Sequence, residues 1–228
     1  MLRQSKNRLY LPLTLFFSLL WLLFVLLTPP ERTLGTLIRW VFAHGSLTQA
    51  SVLVFLAAAL FSAGYLLGNH SWRRWLLVTG WVAFGLWVLG FLVSMIPARL
   101  AWGVWIDFHE PRTQMMLRIM VVGLIFLIIT QWVKHPQFTA IAQILFTFIL
   151  LFLVRSTGMI RHPANPIGES PNAILPVLYS GAFFAATLAT LCFSGWLVNR
   201  KSLLKNLHPG GAERTEGEKT EGRRHFSP

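Results

Sequence analysis

The sequence predicts an all-α integral membrane protein: a bundle of six transmembrane helices with an amphipathic, tryptophan-bearing outer loop between helices three and four. Three observations carry this reading. Of the 228 residues, 54% are hydrophobic and only 12% are charged. The charges avoid the long apolar runs instead of interleaving with them, as the faces of soluble amphipathic helices would. The apolar runs also recur along the chain, each close to the roughly 20 residues that cross the hydrocarbon core of a bilayer.

The first span runs from Leu9 to Leu27, with only Thr14 and Ser18 as small polar interruptions. The others lie at about Thr48 to Gly68, Trp75 to Met95, Met115 to Val133, Phe138 to Val154, which is the shortest, and Val177 to Val198. Trp21, Trp40, Trp72, Trp75, Trp132 and Trp196 stand near the span edges, where they suit the aromatic belts of the two interfaces. The basic start resembles that of a cleaved signal peptide. However, its apolar run is too long and ends in Thr28, Pro29 and Pro30 without a small-residue cleavage pattern, so it is read as a retained first helix. Residues 1–208 then form the membrane domain. Residues 209–228 mix Gly, Glu, Lys and Arg without apolar periodicity and are expected to be a disordered cytoplasmic tail.

Arg3, Lys6 and Arg8 precede the first span, so the positive-inside rule puts the amino terminus in the cytoplasm, and an even span count returns the carboxyl terminus there. Arg73, Arg74 and Lys134 agree as inner-loop cations, while Glu31, Asp107, Glu110 and Glu169 fall in outer loops. The outer loops and adjoining span edges nevertheless contain Arg32, Arg39, Arg99, Arg112, Arg118, Arg155 and Arg161, more than orientation alone explains.

Several function classes are disfavoured. The single cysteine, Cys192, lies within span six and excludes an internal disulfide, a CxxC redox pair and a CxxCH haem-attachment motif. The strongly polar residues of the spans are Gln131, Gln143 and, near an edge, Arg118; no embedded acid marks a proton or ion pathway. No internal repeat suggests an inverted-repeat transporter. The basic residues of the tail have no fold to carry them, which favours contact with the lipid bilayer's anionic inner leaflet over nucleic-acid binding.

The three outer loops, about Thr28 to Leu47, Ile96 to Gln114 and Arg155 to Pro176, each contribute one histidine: His44, His109 and His162. Two histidines on opposite sides of a flat ring can supply both axial nitrogens of a haem iron. Trp102, Trp105 and Phe108 could stack on the macrocycle, and Arg99, Arg112 and Arg161 could bind its propionates through charge-assisted hydrogen bonds. Taken singly, each residue also has an ordinary interfacial role, as a wet-tipped histidine or a belt tryptophan.

A second reading is a zinc or copper site built from His44, His109 and His162, with Asp107 as a further ligand. It needs His109, which a bis-histidine haem does not, and no HExxH pair supports it. A third is a non-catalytic subunit whose loops dock onto a larger membrane complex.

The stretch WGVWIDFHEPRTQ, Trp102 to Gln114, resembles the WGxWWxWDxRLTS loop of the haem-handling membrane proteins of cytochrome c biogenesis, closest to the six-span CcmC type and related to the CcsA type. Trp102, Gly103, Trp105 and Thr113 fall in register and Phe108 replaces one tryptophan. Ile106 stands where the second tryptophan belongs, His109 occupies the aspartate position, and Arg112 lies one place off the arginine. The family's flanking histidines sit in stretches like YIHVPSAWM and TLHQPAS, which VFAHGSLTQ around His44 and MIRHPANP around His162 resemble. The resemblance covers roughly Trp40 to Trp196. It implies a multi-pass protein of the bacterial inner membrane that binds b-type haem non-covalently at the outer face, with His44 and His162 as axial ligands. It also implies handover of that haem to a periplasmic haem chaperone, alongside an ABC-type transporter of the same pathway. No bond-making step, and so no enzyme activity, is implied.

Overall fold

The computed structural model describes residues 2–158, 167–168 and 170–200, with side chains from residue 9 onward. Among these residues six helices follow one another: α1 Leu2–Leu27, α2 Ile38–Leu66, α3 Arg73–Trp102, α4 Pro111–Val133, α5 Pro136–Ser156 and α6 Ile174–Asn199, with a 3-10 turn at His70–Trp72. All six are long and apolar enough to cross a membrane, and no strand occurs among the described residues. The protein is therefore a multi-pass, all-α membrane bundle, as the sequence predicts.

Several helices outrun their expected spans, for local reasons. α2 begins at Ile38, ten residues before Thr48, because the polar residues of this stretch bond within the helix instead of breaking it. Ser46 Oγ donates to the Ala43 carbonyl at 3.1 Å, and Thr48 Oγ1 to the His44 carbonyl at 2.7 Å. α3 continues through Pro97 to Trp102 and stops at Gly103, whose φ of 74° is the left-handed C-cap conformation that glycine adopts most readily. Prolines open α4 and α5 at their first helical position, where the missing N–H costs nothing. The loop between α3 and α4 is accordingly only 103–110, shorter than the expected Ile96–Gln114.

Close approaches fix how the helices run. A Cβ on Gly181 would meet Phe24 at 2.8 Å and one on Gly195 would meet Tyr10 at 2.7 Å, so α6 packs antiparallel along α1. Gly90 lies against Thr48, and Trp87 Nε1 donates to the Met116 carbonyl at 3.2 Å, which joins α3 to α2 on one side and to α4 on the other. α2 is the central helix, in contact with α1, α3, α5 and α6. One core cluster joins α2 to α5 around Phe55, Trp87, Ile119 and Phe146. A second joins α1, α2 and α6 around Val25, Phe42 and Leu175. The ends of α1, α3 and α5 and the starts of α2, α4 and α6 share one end of the bundle, here the distal end; α1 begins and α6 finishes at the other, proximal end.

Gly181→Leu should force the Phe24 ring away and separate α1 from α6, costing about 1–3 kcal/mol as overpacking does. Unfolding of the purified protein in mixed micelles would measure it. Adding Phe24→Ala should recover part of the loss, and a leucine variant as stable as the wild type would contradict this packing.

Candidate functional site

The distal end is built from the start of α2, the end of α3, the start of α4 and the start of α6. His44 lies six residues into α2, about 9 Å along its axis, and is half-buried. Its Nδ1 is 2.9 Å from the Trp40 carbonyl oxygen. A carbonyl only accepts, so Nδ1 carries the proton of the neutral ring and Nε2 carries the lone pair. A ligating histidine is commonly oriented in this way, by a carbonyl behind the ring.

The next residue, Gly45, brings α2 against α6: a Cβ there would stand 2.8 Å from the hydroxyl oxygen of Tyr179. The ring of Tyr179 packs edge-on to Phe42 at 5.2 Å, and Arg112 is the second residue of α4, at the same end of the bundle. Tyr179 is a site residue that sequence reasoning missed. It lay inside an apolar span, and only the close approach at Gly45 shows how near it comes to His44.

Antiparallel packing of α2 and α3, read from the contact of Thr48 with Gly90, sets His44 level with about Ser94. Arg99 and Trp102 then lie about 7 and 12 Å further toward the distal end. Arg99 is engaged locally. Its guanidinium donates to the Gly103 carbonyl, capping α3, and sits 6.0 Å from the Trp105 ring centre in a cation–π contact. Trp102 ends α3 half-buried. Beyond it, Trp105 is 56% exposed and Phe108 62% exposed, so the loop presents its aromatic faces outward. Beneath them Asp107 and Glu110 are buried. Asp107 accepts the His109 backbone N–H at 3.0 Å, and Gln114 Nε2 donates to the Phe108 carbonyl at 2.8 Å, so the loop is held at both ends of its aromatic stretch.

The side chain of His109 is 93% exposed, with Nδ1 3.5 Å from Asp107. Among the described residues no group of three histidine, cysteine or acidic side chains is placed to hold a metal ion. His162 and Arg161 lie outside the described residues, as does the 209–228 tail. The structure thus places His44, Arg112, Arg99, Trp102, Trp105 and Phe108 at the same end of the bundle, with Tyr179 against the residue next to His44 and the His109 side chain exposed. No family model, no curated protein and no solved structure matches the chain.

The same end is closed by a tight turn after α1. Glu31 and Gly35 exchange both backbone hydrogen bonds, at 3.1 and 2.7 Å, and Arg39 Nε donates to the Thr28 carbonyl at 3.0 Å. The Glu31 carboxylate accepts from the Thr33 hydroxyl and from the Thr33 and Leu34 N–H groups at 2.8 and 2.9 Å. These bonds, the Thr33 hydroxyl foremost, hold its pKa below the ordinary 4.5.

A depressed folded-state pKa means that the stabilisation is complete above pH 4.5 and disappears as the pH falls through the folded value. Hydrogen-exchange protection of the Thr33 and Leu34 amides, corrected for intrinsic rates, should therefore decline only on that acid limb. Glu31→Gln should flatten the dependence; a wild-type profile already flat would remove Glu31 as its source.

Proposed function

We propose that the protein binds haem non-covalently at the distal end of the bundle and passes it to a periplasmic haem chaperone during cytochrome c maturation. The observation that carries the reading is His44 at the distal end, whose Nδ1 is held by the Trp40 carbonyl as the back of a ligating imidazole commonly is. His44 would provide one axial ligand and His162 the other. Arg112, and Arg99 if it leaves its cap, would meet the propionates. Trp102, Trp105 and Phe108 would cover the macrocycle. The donor set fits the group: a neutral imidazole, guanidinium cations and planar apolar side chains belong to one end of the fold. Bound haem would be cargo, held by ligation and released by exchange, with no covalent bond made by this chain.

In this reading the distal end faces the periplasm, both termini are cytoplasmic and the membrane is the bacterial inner membrane. The basic residues before α1 and in the connections at the proximal end support that orientation. An ABC-type transporter of the same pathway would be a second partner. The exposed Trp105 and Phe108 also favour one competing reading, a docking subunit whose aromatic loop contacts a larger membrane complex.

The test is a visible spectrum of the detergent-purified protein, as isolated and after haem addition, with His44→Ala and His162→Ala variants alongside. Wild type should give a sharp low-spin spectrum, and each substitution should shift it toward high spin and weaken binding at least tenfold. Wild type that takes up no haem, or variants that bind it equally well, would refute the haem reading and leave the docking subunit.

A further inference from the structure

α1 and α3 both pack against α6 with little contact between them, and they leave a groove of about 420 Å3 on the side of the bundle that faces lipid. Its walls are Thr14 and Ser18 of α1, Trp81, Gly85 and Leu89 of α3 and Phe193 of α6, and no charged residue lines it. Gly85 faces open space: a Cβ there would meet nothing within 4 Å. Along the helix axes the groove runs from about 9 Å inside the proximal end, at Phe193, to about 24 Å, at Leu89. That interval lies within the hydrocarbon core, at the depth reached by the acyl chains of the leaflet on the proximal side. The threonine hydroxyls on the walls are already used, Thr14 Oγ1 donating to the Tyr10 carbonyl at 2.8 Å and Thr190 Oγ1 to the Ala186 carbonyl at 2.7 Å. A space of this size with such walls stays dry and suits a hydrocarbon chain.

The proximal mouth sets this groove apart from the rest of the lipid-facing surface. Arg74 precedes Trp81 by seven residues, so it shares that face of α3 and lies about 10 Å nearer the proximal end. On α6, Phe193 stacks on Trp196 at 5.7 Å, and the guanidinium carbon of Arg200 sits 4.1 Å from the centre of the Trp196 ring. The α6 wall thus leads through two rings to a second cation. Both arginines are exposed, and neither joins an ion pair or a side-chain hydrogen bond among the described residues. The described acids, Glu31, Asp107 and Glu110, all belong to the distal end. Guanidinium groups bind phosphate oxygens through charge-assisted hydrogen bonds. With no acid beside them to meet an ammonium head, these two favour a headgroup of net negative charge.

We infer that this groove binds one anionic phospholipid of the proximal leaflet, with an acyl chain between α1 and α3 and the phosphate held by Arg74 and Arg200. The inference is independent of the haem site, which belongs to the opposite end of the molecule.

The test titrates the delipidated, detergent-purified full chain with dioleoyl phosphatidylglycerol or dioleoyl phosphatidylcholine and counts bound lipid by native mass spectrometry. The wild type should retain one phosphatidylglycerol per chain, about fivefold more tightly than phosphatidylcholine. Arg74→Gln combined with Arg200→Gln should make the two lipids bind equally and weakly. Gly85→Leu, whose side chain has room to fill the groove, should weaken both. Thermal stability without added lipid should be unchanged in either variant, and glycerol phosphate, a headgroup without chains, should not compete. Equal retention of the two lipids by the wild type, or unchanged binding in the variants, would reduce the groove to non-selective boundary lipid and overturn the inference. Competition by glycerol phosphate would overturn the role of the acyl chain. A wild type that runs as a dimer and becomes a monomer in Gly85→Leu would overturn the inference by giving the groove to a second copy of the chain.

Discussion

The structure depends above all on the absence of water in the layer it spans. A polar group there must find its partner inside the protein, and the hydroxyls of this chain find it in their own helices. Thr14 donates to the Tyr10 carbonyl, Ser62 to Ala58, Thr187 to Phe183, Thr190 to Ala186 and Ser194 to Thr190, all at 2.7–2.9 Å. Satisfied in this way, serine and threonine behave as small residues and let backbones approach. α2 can then contact four other helices: Ser46 receives the Trp21 indole N–H of α1 at 2.9 Å, Thr48 meets Gly90 of α3, Gly45 meets Tyr179 of α6, and the Phe55 carbonyl accepts from Thr147 of α5 at 3.4 Å. In lipid, where burying apolar surface contributes little to helix association, close packing of this kind supplies much of the cohesion.

The same rule makes the exceptions informative. Where the other hydroxyls turn back on their helices, the Gln143 amide nitrogen and the Thr79 hydroxyl stand buried without a partner. Thr79 in α3 is fully buried, so its orphan oxygen marks tight packing. Gln143 borders a small gap of about 30 Å3, room for a water or two. His44 represents the opposite arrangement: its Nδ1 is satisfied by Trp40, and that satisfaction defines the chemistry of the other nitrogen.

Much of this was legible in the sequence, and the part that was not has a physical cause. Six apolar runs predict six helices because length and hydropathy are local properties. Their ends were less legible. Hydropathy drops at His44, Ser46 and Thr48, and at Pro97 and Arg99, yet the helices continue, because side-chain-to-backbone bonds and the interfacial setting tolerate those residues. The distal histidines, arginines and aromatics could be named from loop composition. That Arg99 caps α3 and stacks on Trp105, that His109 faces outward, and that Glu110 is buried all depend on the fold of 103–110, which no local pattern encodes. The placement of Tyr179 and of Gln143 was invisible for a related reason. Each arises from glycines on a neighbouring helix, and a glycine in an apolar run does not announce what it lies against.

The two arginines of the haem reading are not equivalent, and the difference is energetic. Arg99 already holds the Gly103 carbonyl and the Trp105 ring. Giving up an exposed cation–π contact costs about 0.5–1 kcal/mol and a hydrogen bond about 0.5–1.5 kcal/mol, so recruiting Arg99 to an anion would forfeit roughly 1–2.5 kcal/mol and release the aromatic loop. Arg112, second residue of α4 at the same end as His44, joins no ion pair or hydrogen bond among the described residues. An anionic ligand drawn to this end would therefore take Arg112 first at no local cost. Engaging Arg99 as well would couple ligand binding to the position of Trp105 and Phe108, the surface that a receiving partner would meet.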